Sequence, residues 1–180
     1  NEVDWKQISS ILAGMQKVTN TGFIFMTNIV MNFLEDFCKN LGNSIIVYIE
    51  RDIESVALSI LRARKKYYGN SNTWWATHSP NYFTIKDLTF DEQIAHQVLS
   101  LRETYDEALK LVDDNMVIRV NYEEVCSNPS FLLKKIAHVS KELYGTEISV
   151  DQRVPSSFEI RRNTALNSDE MLLLETLNKI

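Results

Sequence analysis

The chain has 180 residues, 44% of them apolar, with 19 Lys and Arg against 24 Asp and Glu for a net charge of −5. That composition excludes disorder across the whole chain, and the length matches one domain of roughly 100–200 residues with a single core, expected here over 1–180. The acidic balance argues against a general nucleic-acid or membrane-surface binder, so an anionic ligand must meet a local basic site.

At the amino terminus Trp5, Ile8, Leu12 and Met15 recur at helical spacing. The polar run Thr19 to Gly22 then separates this helix from Phe23-Ile24-Phe25-Met26, which is predicted as a short buried strand. Ile29, Val30, Phe33, Leu34, Phe37, Cys38 and Leu41 form a helical stripe closed by Gly42. Ile45 to Ile49 is continuously apolar, as in a strand covered on both faces within a parallel sheet. Asp52 caps a helix whose Ile53, Val56, Ala57, Ile60 and Leu61 share one face, with the basic run Arg62 to Lys66 at its far end.

A Gly69 to Asn72 loop leads to Trp74-Trp75 and an irregular stretch through Leu88. A long charged helix from about Asp91 to Val112 is expected to be a solvated amphipathic one. Met116 to Val120 is the third strand. Asn128 and Pro129 cap and open another helix, and 169–180 forms the last. The alternation predicts an α/β, three-layer domain with a small parallel sheet flanked by helices. Three strands make a thin sheet, so the expectation is either that a strand is missing from the front of this chain or that helices do most of the packing.

No apolar run approaches the ~18–20 residues of a membrane helix, and the first residues lack the layout of a signal peptide. Cys38 and Cys126 sit in unlike contexts without C-x-x-C or metal-ligand spacing. No disulfide, no metal and a reducing, cytoplasmic compartment are expected.

The chemistry concentrates at the end of the second strand. Arg51 closes that strand, and Ser59 follows eight residues later on the helix. At ~100° per residue Ser59 falls beside Ser55, off the apolar stripe and away from the core. At the carboxyl edge of a parallel sheet, a guanidinium and a hydroxyl can share one phosphate. An Arg in a surface ion pair and a Ser on a helix flank is the competing reading.

The run from Tyr48 to Pro129 resembles the carboxyl-terminal part of the sulfotransferase family, which moves a sulfuryl group from 3′-phosphoadenosine 5′-phosphosulfate (PAPS). The matching landmarks are Arg51-Asp52 with Ser59, then Trp74-Trp75, then Glu92-Gln93-Ile94-Ala95, then Val120 to Pro129, in that order. The likeness extends over about residues 23–145. It implies a P-loop NTPase-like sulfotransferase fold, Arg51 and Ser59 on the 3′-phosphate, and Tyr122 near the adenine. It further implies PAPS as co-substrate, adenosine 3′,5′-bisphosphate as product, and a hydroxyl or amine acceptor on a small molecule, lipid or glycan.

Two features depart from the family. The Gly/Ser/Thr/Lys-rich loop that wraps the 5′-phosphosulfate has no counterpart, since Asn20-Thr21-Gly22 is short and lacks a basic residue. The place of the general base reads Met26-Thr27-Asn28, none of which abstracts a proton at neutral pH. His78 is a candidate substitute, with a surface histidine as the competing reading. His96 and His138 fall inside helices and read as structural. Arg161-Arg162 occupies the region where the family closes a basic segment over the 3′-phosphate, but without its Arg-Lys-Gly pattern.

Three readings follow: a PAPS-dependent sulfotransferase of which this chain is part or most, a non-catalytic nucleotide-binding or regulatory module that retains the 3′-phosphate site, and a nucleotide kinase. The last needs a Gly-x-x-x-x-Gly-Lys-Ser/Thr loop that the sequence lacks.

Overall fold

The computed structural model describes residues 3–26, 29–150, 153–160 and 165–180. Two strands, β1 (Ile46–Glu50) and β2 (Val117–Asn121), pair in parallel with Ile46 opposite Val117 and Glu50 opposite Asn121. Because paired residues of parallel strands share a face, Ile46, Tyr48 and Val117 lie together. They pack against Leu34 of α2 (Leu34–Leu41) and Ala108 and Leu109 of α5 (Phe90–Leu109). Ile118 and Val120, on the opposite face, are buried where β2 meets α7 (Pro129–Tyr144). Ile49 stays 45% exposed, so coverage of β1 is incomplete.

The main core lies beside the sheet. Ala57, Ile60 and Leu61 of α3 (Ile53–Tyr68) meet Ile94, Ala95 and Val98 of α5, closed over by Leu173 and Leu177 of α8 (Ser168–Leu177). α3 begins where the Asp52 carboxylate accepts from the Ser55 N–H at 2.9 Å. It ends at Gly69, whose φ of 71° lets its N–H reach the Lys65 carbonyl at 3.0 Å. Asn128 caps α7 with Pro129 in its first turn. α8 is opened by a capping box between Asn167 and Glu170.

Three expectations change. Residues 23–26 form no strand: Ile24 and Met26 are 98% and 99% exposed, and Phe25 meets the rings of Phe23 at 6.2 Å and, edge-on, of Phe37 at 5.9 Å. The outer edge of β1 carries no strand among the described residues, so this run does not pair with it. The sheet accordingly has two described strands instead of three. The stripe over 29–41 is a 3₁₀ turn (Ile29–Phe33) followed by α2, not one helix.

The third change concerns α5, which is central and not merely solvated. Its buried Asp91, Gln93 and Gln97 are accommodated because each hydrogen-bonds. Gln93 Nε2 donates to the Lys86 and Leu88 carbonyls at 2.8 and 2.9 Å, and Gln97 Nε2 to those of Trp75 and Thr77 at 3.0 and 2.9 Å. The irregular segment between α3 and α5, which includes α4 (Tyr82–Ile85), is thereby tied down through its own backbone. The short turn after β2 is a helix, α6 (Tyr122–Ser127).

Candidate functional site

Register explains the site. Since Glu50 and Asn121 are opposite each other at the carboxyl ends of β1 and β2, the next residues, Arg51 and Tyr122, leave the sheet side by side. The Arg51 guanidinium lies over the Tyr122 ring, 4.4 Å from its centroid. Its Nε is buried and makes no hydrogen bond, and no carboxylate among the described residues pairs with it. The sheet edge opens there into a cleft of about 510 Å³ lined by Glu50, Arg51, Asp52, Ile53, Arg102, Asn121 and Glu123. Ligands of α/β proteins commonly sit at this edge.

The lining is mixed in charge. Of its three carboxylates, Asp52 is engaged by the start of α3 and Glu50 by Arg102, Nη2 to Oε1 at 3.3 Å. Arg102 also reaches Asp106 one turn on, Nε to Oδ2 at 3.5 Å. The Tyr122 phenol is pushed above its ordinary value, chiefly by its hydrogen bond with the Cys126 thiol one turn along α6. It therefore stays neutral at physiological pH and offers Arg51 a ring face in place of a counter-charge.

The sequence-derived residues are not all gathered here. Ser59 is exposed on α3, off the buried stripe as its spacing predicts, but it is not part of the cleft lining. His78 is exposed and sits in an aromatic stack, 3.8 Å from Tyr82 between centroids and nearly coplanar, with Trp74 edge-on at 5.5 Å; it too lies outside the lining. Trp75 stacks on Tyr67 at 4.7 Å and packs on the main core, so the two tryptophans diverge to either side of the segment. Arg161 and Arg162, and Thr27 and Asn28 of the base position, lie outside the described residues. Met26 is exposed and apolar.

Another arginine serves the scaffold. Arg64 is fully buried, and Nη1 donates to the Ser71 carbonyl at 3.0 Å and Gln93 Oε1 at 2.9 Å, with the guanidinium 5.3 Å from the Trp74 ring centroid. Burial pulls its pKa down to about 10, which still leaves it charged at neutral pH.

Sequence reasoning passed over Arg102 and Glu50. Arg102 is the only Lys or Arg in the 20 residues of α5, amid Asp91, Glu92, Glu103, Asp106 and Glu107, and its i,i+4 neighbour Asp106 gave it a local explanation. What puts it at the site is the packing of α5 against the sheet. Comparisons with protein-family models, with curated proteins and with solved structures find no match to this chain.

Proposed function

We propose that the chain is a nucleotide-binding domain of the sulfotransferase type, which takes PAPS or its product adenosine 3′,5′-bisphosphate at the sheet-edge cleft. Arg51 binds the 3′-phosphate, Tyr122 flanks the nucleoside, and Ser59 joins Arg51 if the nucleotide reaches along α3. The observation that carries this reading is Arg51 itself. A guanidinium with an orphaned Nε, no carboxylate partner and an aromatic ring beneath it, at the carboxyl edge of a parallel sheet, is suited to a phosphate.

In the catalytic form of the proposal an acceptor oxygen or nitrogen bonds to the sulfur of PAPS as the bond from sulfur to the 5′-phosphate oxygen breaks. The acceptor loses its proton to a base, and adenosine 3′,5′-bisphosphate leaves. In-line placement and neutralisation of the departing charge dominate such a transfer. The 3′-phosphate site supplies binding and no chemistry.

A second reading, a non-catalytic nucleotide-binding module, is favoured by the base position, where Met26 offers a fully exposed thioether in place of a base. Labelled PAPS separates the two readings, because transfer to any hydroxyl or amine acceptor excludes the module.

Thermal shift tests the binding claim common to both. Adenosine 3′,5′-bisphosphate should raise the melting temperature more than adenosine 5′-monophosphate at matched saturating concentrations. Equal shifts would remove the 3′-phosphate assignment.

A further inference from the structure

The cleft carries two guanidinium groups, and only Arg51 has a role so far. Arg102 reaches the same space from α5, across from the end of β1. Its ion pairs are long. Glu50 at 3.3 Å and Asp106 at 3.5 Å lie beyond the ~2.7–2.9 Å of a tight charge-assisted bond. The contrast within the molecule is Arg62 to Glu170, Nε to Oε1 at 2.6 Å, on a carboxylate that is nearly buried. Arg102 spends Nη2 on Glu50 and Nε on Asp106, while Nη1 makes no hydrogen bond among the described residues and keeps both of its protons for another acceptor.

An α5 side chain held this loosely, on an otherwise acidic helix and at a ligand-sized cleft, has a geometry suited to exchanging its carboxylates for a stronger anion. A phosphate oxygen pair matches the planar fork better than two single contacts to separate carboxylates do. Glu50, once released, becomes an acceptor at the cleft wall for hydroxyl or amine donors of the ligand.

We propose that Arg102 is a second anion-binding residue of this cleft, which takes the 5′-phosphate end of a nucleoside whose 3′-phosphate is held by Arg51. The inference rests on the nucleotide reading above and narrows it. The bisphosphate of that reading is then gripped at both ends, by guanidiniums from different elements.

Calorimetric titration of the full chain with three probes tests it: adenosine 3′,5′-bisphosphate, adenosine 3′-monophosphate and adenosine 5′-monophosphate. Arg102→Gln should weaken the bisphosphate and the 5′-monophosphate by roughly ten- to a hundredfold and leave the 3′-monophosphate within about twofold. Arg51→Ala should show the mirror pattern, weakening the bisphosphate and the 3′-monophosphate. Melting of each variant without nucleotide reports on folding. Should Arg102→Gln fail to fold, Arg102→Lys, which retains a cation for Glu50 and Asp106 but not the fork, should still bind the bisphosphate more weakly than the parent.

Two results overturn the role of Arg102 and leave the nucleotide reading standing. In both, Arg51→Ala still loses affinity. Arg102 variants then either leave all three affinities unchanged, or weaken all three alike, which marks a wall residue and not a phosphate ligand. Affinities insensitive to both arginines, or no binding of the bisphosphate to the parent chain, would overturn the nucleotide reading itself.

Discussion

Arg51 owes its position to one residue of register: it is the first residue past a strand whose last member faces Asn121, and so it meets Tyr122. On the proposed reading its loss is therefore a loss of binding and not of structure. Among the described residues no backbone carbonyl, carboxylate or cap depends on its guanidinium. Arg51→Ala is therefore expected to keep its circular dichroism and melting curve while losing about 1.5–3 kcal/mol of bisphosphate affinity. Ile118→Asp supplies the contrast. Ile118 is 1% exposed in β2, and an unpaired carboxylate there costs more than a marginally stable domain can supply, so this variant should not fold. A melted Arg51→Ala would make the arginine structural and return the site to an ordinary surface explanation.

At the scale of elements, α8 is held by charge as well as by Leu173 and Leu177. Lys65 Nζ pairs with Asp169 Oδ2 at 2.6 Å, Arg62 with Glu170, and Thr176 Oγ1 donates to Asp91 Oδ2 at 2.6 Å. All three carboxyls are held below their ordinary values. For Asp169 the hydrogen bond from Lys65 is the main cause. For Glu170 and Asp91 burial is the largest effect and pushes upward, but it is outweighed, at Glu170 by the Asn167 N–H and Arg62, and at Asp91 by the Thr176 and Thr89 hydroxyls with backbone N–H groups. Depressed folded values mean that the unfolded chain takes up these protons first. The contribution is complete above about pH 4, where unfolded carboxyls ionise, and drains as pH falls through the folded values. Hydrogen exchange should accordingly show α8 losing protection as pH falls below about 4, ahead of β1 and β2. Glu170→Gln should flatten that acid limb, and protection independent of pH over this range would contradict the clamp.

The elements differ in how much of them the sequence discloses. β1, β2, α3 and α7 are legible because their apolar runs and caps are local: Asp52, Gly69 and Asn128-Pro129 mark helix ends within one turn of where they form. Residues 23–26 mislead because an apolar run is a strand only where its side chains have a surface to pack on, and here Ile24 and Met26 are exposed. The depth of α5 is hidden because Gln93 and Gln97 read as polar, and only the folded segment 75–88 reveals the carbonyls that accept from their Nε2 groups. The position of Arg51 at the cleft is legible from its place at a strand end, whereas that of Arg102 is not, because it depends on a contact across 52 positions of sequence.

At the scale of the whole molecule, a two-stranded parallel sheet flanked by helices carries a helical core on one side and a mixed-charge cleft at its carboxyl edge. The main core and the cleft are thereby separated in space: α3, α5 and α8 supply the buried apolar surface, while the ends of β1 and β2 and one side chain from α5 line the cleft. No helix among the described residues is long and apolar enough to cross a membrane.

The central claim is that a phosphorylated nucleoside occupies that cleft, and heteronuclear NMR of the labelled chain titrated with adenosine 3′,5′-bisphosphate tests it most directly. The account predicts saturable shifts at the Arg51, Ile53, Asn121 and Tyr122 amides and at the Arg51 and Arg102 side-chain Nε–H groups, with the α8 amides unmoved. Shifts confined to other parts of the surface, or none at concentrations that saturate the thermal shift, would contradict it.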